Sequence, residues 1–246
     1  MKPPSPDSPP APAPPSTRTG LPWFHLVFLA LIALSGLAGG LLMWLSSQRQ
    51  RSPQIELQTM PPPAELPVYA TLRQALTATE RSGRTVSTSE LRGKVWVLGY
   101  TYTRCPRGCL GVIATMLKLR DAFGVDPRFH QVSVAVDPAH DTPAVLANFA
   151  AAAGIKDSDG WWFLGGEPSS LQNFVTNQIG FAQTVEIPPA ERLSAFDLYS
   201  HDLRLALIDA QGRLRGYYEV QNEDPPTAAF HIERLRADIR RLLAEK

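Results

Sequence analysis

Cysteine is scarce in this chain, since Cys105 and Cys109 are the only two among its 246 residues. A metal ion held by this pair would therefore need a third or fourth ligand from another type of residue elsewhere in the fold. An excess of charge is missing as well, because the formal net charge is +1 and the basic residues are scattered along the sequence. Such a balance excludes the basic surface on which nucleic-acid binding depends, so we expect no nucleic-acid partner.

Formal charge is absent from residues 23–45, which form an apolar run. The run is long enough to cross the roughly 30 Å hydrocarbon core of a membrane as a helix, and the tryptophans at both ends match the aromatic belts of membrane surfaces. We interpret it as a single-pass transmembrane anchor rather than a cleaved signal peptide, whose apolar core normally has about 7 to 15 residues. Basic residues lie on both sides of the run, so charge hardly distinguishes the two orientations. An anchor ahead of a reactive cysteine pair favours the cytoplasmic (inner) membrane, with the folded domain on the extracytoplasmic, periplasmic side.

Proline is frequent on either side of the predicted anchor. Residues 1–22 are dominated by proline with serine, threonine and alanine, a composition that cannot bury enough apolar surface to fold. We predict a disordered arm there and a Pro-rich tether over residues 46–67. The remaining range, 68–246, is long enough for one well-buried core, and we expect it to form one folded domain.

This range alternates between strand and helix patterns. Residues 94–101 predict a buried strand, 109–123 a helix and 131–136 a second buried strand. A βαβα order is typical of a parallel sheet. The further predicted elements are a hairpin over 76–87, a helical turn at 89–93, helices over 142–153, 169–178 and 226–243, strands at 161–164, 181–187 and 203–208, and a hairpin turning at 209–212 into 213–220. Together they predict an α/β, thioredoxin-like domain.

The cysteine pair lies where the strand over 94–101 meets the helix that begins at Cys109. A helix N-terminus favours negative charge, and Arg104 and Arg107 add positive charge, so at least one thiol should ionise more readily than a free cysteine. The residues alone leave three alternatives open. The two thiols close reversibly into a disulfide, they bind a soft metal ion such as Cu(I), zinc or an iron–sulfur cluster, or they form a static disulfide or an inert pair of core thiols.

Several motifs resemble, in the same order, those of the Sco/SenC family. They are Leu-Arg-Gly-Lys at 91–94 after a turn glycine, Cys-Pro-x-x-Cys at 105–109, Asp-Pro-x-x-Asp-Thr-Pro at 137–143, and His201 ahead of Leu-Ile-Asp-x-x-Gly-Arg at 207–213. Members of this family are membrane-anchored, thioredoxin-like copper proteins that serve the assembly of cytochrome c oxidase. The resemblance covers about residues 70–245 and extends to the anchor.

The resemblance implies a copper ion, as Cu(I) or Cu(II), bound by Cys105, Cys109 and His201, with Asp137 as an acidic residue near the copper. Thiolate sulfur suits Cu(I), and imidazole binds both oxidation states. It implies a copper metallochaperone rather than an enzyme, whose partner is a cytochrome c oxidase subunit or another copper-accepting protein. Two alternatives are kept: an extracytoplasmic thiol–disulfide oxidoreductase with Cys105 and Cys109 as its redox dithiol, acting on cysteines of an oxidase subunit, and a redox or copper sensor.

Three positions depart from the pattern of the family, namely Arg107, Leu110 and Asp202. Basic residues beside the cysteines stabilise thiolates but repel a cation, which keeps the redox alternative open. The four other histidines are weaker candidates for the metal. We interpret His25 as an interfacial residue, His130 as a loop residue and His231 as a helix-surface residue. His140 is interpreted as a residue of a solvated loop near the site.

Overall fold

The structure is a computed structural model that describes residues 23–59, 65–106 and 109–245. The predicted disordered arm (1–22), part of the predicted tether (60–64) and Arg107 lie outside these residues. The chain divides into two compact units, Met1–Pro63 and Ala64–Lys246, and each is described by itself.

The described residues of the first unit form one long helix, α1 (Trp23–Thr59). Its stretch Val27–Ser46 has a mean hydropathy of 2.1, and by length and composition it is a candidate membrane span. The helix continues past the predicted end of the anchor and through much of the range 46–67, for which we predicted a tether.

The second unit is built on a mixed β-sheet. Eight of its described strands form one sheet in the order β1-β10-β9-β4-β5-β6-β2-β3, and the two others, β7 and β8, pair separately. The strands are β1 (Ala70–Thr71), β2 (Thr77–Glu80), β3 (Thr85–Ser87), β4 (Val95–Thr101), β5 (Phe129–Ala135), β6 (Trp161–Gly165), β7 (Val185–Glu186), β8 (Tyr199–Ser200), β9 (Leu205–Ile208) and β10 (Arg213–Tyr218). β4, β5 and β6 run parallel, whereas β9 is antiparallel to β4 and to β10. The predicted thioredoxin-like α/β fold is thereby confirmed.

Helices connect and cover the strands of this sheet. Within the described part of the second unit they are α2 (Cys109–Phe123), α3 (Pro143–Ala152), α4 (Pro168–Asn177) and α5 (Pro225–Ala244). The helix α3 begins as predicted, because the side chain of Thr142 accepts a hydrogen bond from the backbone N–H of Val145 and a proline follows directly. The α2 and α3 crossovers join the parallel strands β4, β5 and β6.

The strand β4 lies at the centre of the core and is buried along its whole length. Its residues alternate between two hydrophobic clusters, with Trp96 and Leu98 in one and Val95 and Val97 in the other. Both faces of the sheet are therefore covered, as is usual where strands run parallel. The backbone also approaches β9 closely, since a Cβ atom at Gly99 would lie 2.6 Å from the Leu205 side chain.

The prediction of a strand over 181–187 is wrong. Only Val185–Glu186 is extended and paired, and its partner is β8 in the separate two-stranded sheet. The buried side chains of Phe181 and Ile187 supply the apolar pattern that suggested a strand. The residues between them are mostly exposed, and prolines at 188–189 follow directly, so this segment does not join the main sheet.

The prediction that His130 is a loop residue is also wrong. It is the second residue of β5, it is only 5% exposed, and its ring contacts that of Trp162 with 4.7 Å between centroids. A polar residue at the edge of an apolar run resembles a loop in sequence, but β5 is buried on both faces and begins earlier. His231 lies half-buried in α5 and His25 lies in α1.

Candidate metal centre

The two cysteines are joined where β4 leads into α2. Cys105 lies in the connecting loop and is half-buried, whereas Cys109 is the first residue of α2 and is buried. Their Cα atoms are 6.2 Å apart and a disulfide connects them, within the usual range of about 4.4 to 6.8 Å for bridged pairs. The structure therefore presents the oxidised form of the pair.

His201 comes from a distant part of the sequence and lies directly against this pair. It follows β8 and precedes β9, which pairs with β4 in the register Val97 to Leu207. This pairing brings the histidine loop beside the cysteine loop, and the Nε2 atom of His201 lies 3.2 Å from the Sγ atom of Cys109. One ligand atom from each of Cys105, Cys109 and His201 lies within 4.8 Å of the others.

The orientation of the His201 ring is set by its other nitrogen. Nδ1 lies 2.9 Å from the backbone carbonyl oxygen of Asp202, so Nδ1 carries the proton that it donates and Nε2 keeps a free lone pair facing the sulfur. Burial lowers the pKa of His201, although the carbonyl and the charge of Asp202 act in the opposite direction. The imidazole is therefore neutral at pH 7, the form in which it can bind a metal ion.

Asp202, one of the departures from the family's pattern, supports this loop. Burial alone would raise the pKa of its carboxyl, but hydrogen bonds from Arg204 and from the backbone N–H of Ala182 outweigh it and lower the pKa. The guanidinium of Arg204 lies 2.6 Å from the carboxylate and 4.7 Å from the centre of the Tyr217 ring. These contacts fix the residues that follow His201.

Asp137, which we predicted to lie near the copper, forms an ion pair with Arg104. Its Oδ2 atom lies 2.7 Å from the guanidinium, and the Asp137 side chain is only 7% exposed. The guanidinium also lies 5.6 Å from the centre of the Phe196 ring. The ion pair offsets the positive charge of Arg104, the residue directly before Cys105.

The loop that carries Cys105 is held by a carboxylate that the sequence analysis did not select. The buried side chain of Asp141 accepts a hydrogen bond of 2.5 Å from the hydroxyl of Thr103. Asp141 also lies 3.0 Å from Nδ1 of His140, which accounts for the position of that histidine. The Asp-Pro-x-x-Asp motif contains Asp141 and could have indicated it. Its hydrogen-bond partner Thr103, however, lies outside the motif, 38 positions away.

Two tyrosines at the end of β4 contact the ring of His201 edge-on. The centroids of Tyr100 and Tyr102 lie 5.4 and 6.3 Å from that of His201, and both tyrosines are 4% exposed. Their alternation in the run Tyr-Thr-Tyr-Thr was the available signal for two side chains on one face of a strand. Neither tyrosine was predicted as a site residue.

Comparison with known proteins places the second unit among relatives of known fold. A sequence model of the family SCO1/SenC matches residues 67–237. The SCO1 protein homolog of Bacillus subtilis is 30% identical over 154 residues, which cover 61% of this chain and 75% of the homolog.

Two solved structures share the fold at lower sequence identity. BsSco, described as a member of the Sco family of cytochrome c oxidase assembly proteins with a disulfide switch, is 22% identical with a TM-score of 0.58, covering 74% of this chain and 99% of that one. ScoI of Bradyrhizobium japonicum with copper bound is 22% identical with a TM-score of 0.51, covering 65% of this chain and 97% of that one. The family match over most of the folded unit decides the assignment, and the chain belongs to the SCO1/SenC family.

Proposed function

We propose that this protein is a copper metallochaperone that binds copper through Cys105, Cys109 and His201. The observation that carries the proposal is the convergence of two sulfur atoms and one imidazole nitrogen within 4.8 Å. Soft sulfur ligands select Cu(I), and imidazole suits either oxidation state of copper. The free lone pair on Nε2 of His201 and its neutral ring meet the requirement for a metal ligand.

The disulfide must be opened before copper binds. Reduction of the bond between Cys105 and Cys109 takes two electrons and two protons and gives two thiols, which lose their protons when they bind the metal. A dithiol reductant outside the cytoplasm would supply these electrons. Copper capture is therefore coupled to the redox state of the pair.

We further propose that the copper passes to the copper centre of a cytochrome c oxidase during its assembly. Cys105 is only half-buried and Leu110, next to Cys109, is exposed, so in this proposal an incoming ligand from a partner approaches the centre from this side. The relative BsSco, named as an oxidase assembly protein, supports the same role here. In this proposal α1 is a single-pass anchor in the cytoplasmic membrane, and the folded unit faces the extracytoplasmic side.

Copper binding by the purified, reduced full-length chain in detergent tests the proposal. We expect one Cu(I) per chain, with binding lost in Cys105→Ser and weakened at least about tenfold in His201→Ala, as is common when the coordination of a metal is disturbed. His140→Ala is the matched control, because this histidine contacts Asp141 and not the cysteines. Equal binding by the wild type, Cys105→Ser and His201→Ala would refute the ligand set.

A second function is favoured by the disulfide itself. As a thiol–disulfide oxidoreductase, the reduced pair would attack a disulfide of a partner and form a mixed disulfide. The second thiol would then displace the partner, so that the Cys105–Cys109 bond forms, the partner's bond breaks and its two sulfurs take up the protons.

Reduction of oxidised glutathione tests this second function. The oxidoreductase would trap a mixed disulfide with glutathione in Cys105→Ser or in Cys109→Ser, and His201→Ala would keep its exchange rate. Exchange no faster than that of a free thiol in all of these proteins would exclude it.

A further inference from the structure

Tyr102 lies between the loop that carries the cysteines and the loop that carries His201. Its backbone carbonyl accepts a hydrogen bond from the N–H of Cys105, with 3.1 Å between nitrogen and oxygen. Its side chain points to the other loop, where its ring contacts those of Tyr199 and His201 with centroid distances of 6.1 and 6.3 Å. One residue therefore contacts both halves of the candidate metal centre.

The hydroxyl group of Tyr102 hydrogen-bonds to the backbone of the segment that precedes His201. It donates to the carbonyl oxygen of Phe196 over 2.5 Å and accepts from the N–H of Leu198 over 3.4 Å. These two backbone groups lie three to five residues before His201 in a segment that joins only the short pair β7 and β8. This segment does not pair with the main sheet among the described residues, so side chains from the cysteine loop link it to the end of β4. They are the Tyr102 hydroxyl, which hydrogen-bonds to its backbone, and the guanidinium of Arg104, which lies over the Phe196 ring.

Tyr100 offers a matched comparison, since it resembles Tyr102 in burial and in its contact with His201 but lacks the hydrogen bonds to the 196–198 segment. Both lie at the end of β4, are 4% exposed and present a ring edge to His201. The Tyr100 hydroxyl is buried near Thr184 and Gln172 but makes no well-formed hydrogen bond with the described residues. Its removal would leave the 196–198 segment attached.

We propose that Tyr102 is a positioning residue, whose hydroxyl sets the place of His201 relative to Cys105 and Cys109 by holding the 196–198 segment against the cysteine loop. The inference rests on the proposed copper function, because it concerns the same three ligands. A bond that orients a metal ligand typically contributes tenfold or more to metal affinity. Tyr102 makes no contact with the metal in this role and acts through His201.

The test compares Tyr102→Phe with Tyr100→Phe in the full-length chain, each alone and combined with His201→Ala. Both substitutions keep the buried ring, so thermal unfolding of the metal-free proteins checks that each folds. Cu(I) affinity is measured by competition with a chromophoric chelator, and the Cu(II) forms are compared by their sulfur-to-copper charge-transfer absorption and their electron paramagnetic resonance spectra.

We expect Tyr102→Phe to bind Cu(I) about tenfold more weakly and to shift the Cu(II) spectra, while Tyr100→Phe matches the wild type. In the His201→Ala background, Tyr102→Phe should cause no additional loss, because the residue through which it acts is gone. A wild-type affinity and spectrum for Tyr102→Phe would overturn the inference, and so would an undiminished loss in the His201→Ala background. Either result leaves the proposed function intact, whereas a wild type that binds no copper removes both.

Discussion

The buried residue His130 of β5 should make the free energy of unfolding of the second unit fall at acidic pH. The ring of His130 is packed against Trp162, and neither ring nitrogen has a hydrogen-bond partner among the described residues. Burial, with a smaller contribution from the charge of Lys94, lowers the pKa of His130 from 6.5 to about 3. Protonation would place an unpaired charge in the core.

The sign and size of the effect follow from the two pKa values. Between pH 6.5 and about 3 the unfolded chain binds a proton at His130 and the folded chain does not. Lowering the pH therefore stabilises the unfolded state relative to the folded state. The contribution to stability is complete above pH 6.5 and is lost progressively below it. At pH 5 the loss is about 2 kcal/mol, and the whole shift corresponds to about 5 kcal/mol.

Urea denaturation of the unit Ala64–Lys246 at pH 7 and pH 5 measures this loss, with the disulfide kept oxidised. The substitution His130→Phe keeps an aromatic ring and removes the titrating group. Between pH 7 and pH 5 we expect the free energy of unfolding of this variant to fall by about 2 kcal/mol less than that of the wild type. Trp162→Phe is the matched control, because it changes the same contact but leaves the histidine in place and should keep the pH dependence. Parallel losses in the wild type and His130→Phe would refute the reasoning.

Three further predictions concern the disulfide, the sheet and the ion pair. Reduction of the disulfide, whose cysteines are four residues apart, should lower the free energy of unfolding by about 2 kcal/mol in the chain-entropy account; circular dichroism should show a folded, reduced unit, and unfolding on reduction would contradict this. Gly99→Ala would bring a methyl group to 2.6 Å from the Leu205 side chain, so urea denaturation should show a loss of about 1 to 3 kcal/mol, and an unchanged midpoint would argue against the close approach. Asp137→Asn frees the charge of Arg104 and should weaken Cu(I) binding about tenfold in the chelator competition, whereas an unchanged affinity would mean that this charge does not reach the metal.

The sequence predicted the regular elements well because their signals are local. The helix of residues 109–123 has the predicted bounds, and the Thr142 cap and the hairpin at 209–212 are where turn and cap residues indicated. The predicted strand over 203–208 is present as β9 (Leu205–Ile208). These features depend on hydrophobic period and on neighbouring residues.

The remaining features depend on contacts that no local pattern contains. Tyr102 and Phe196 are bonded across 94 positions of sequence, and the segment that carries Phe196 has no regular period. His130 was assigned to a loop because β5 begins at Phe129, two residues before the apolar run that predicted the strand. The ion pair between Asp137 and Arg104 is another such feature, because only the fold brings the two side chains together.

The strand β9 limits how the chain can vary around the metal centre. It is hydrogen-bonded to β4 on one side and to β10 on the other, so it cannot slide, and residues 202–204 alone connect it to His201. An extended residue spans about 3.3 Å, which is similar to the distance of 3.2 Å between Nε2 of His201 and Sγ of Cys109. A single inserted residue at 202–204 would therefore be enough to separate the histidine from the sulfur, whereas insertions in the loop between α2 and β5 would leave the three ligands in place.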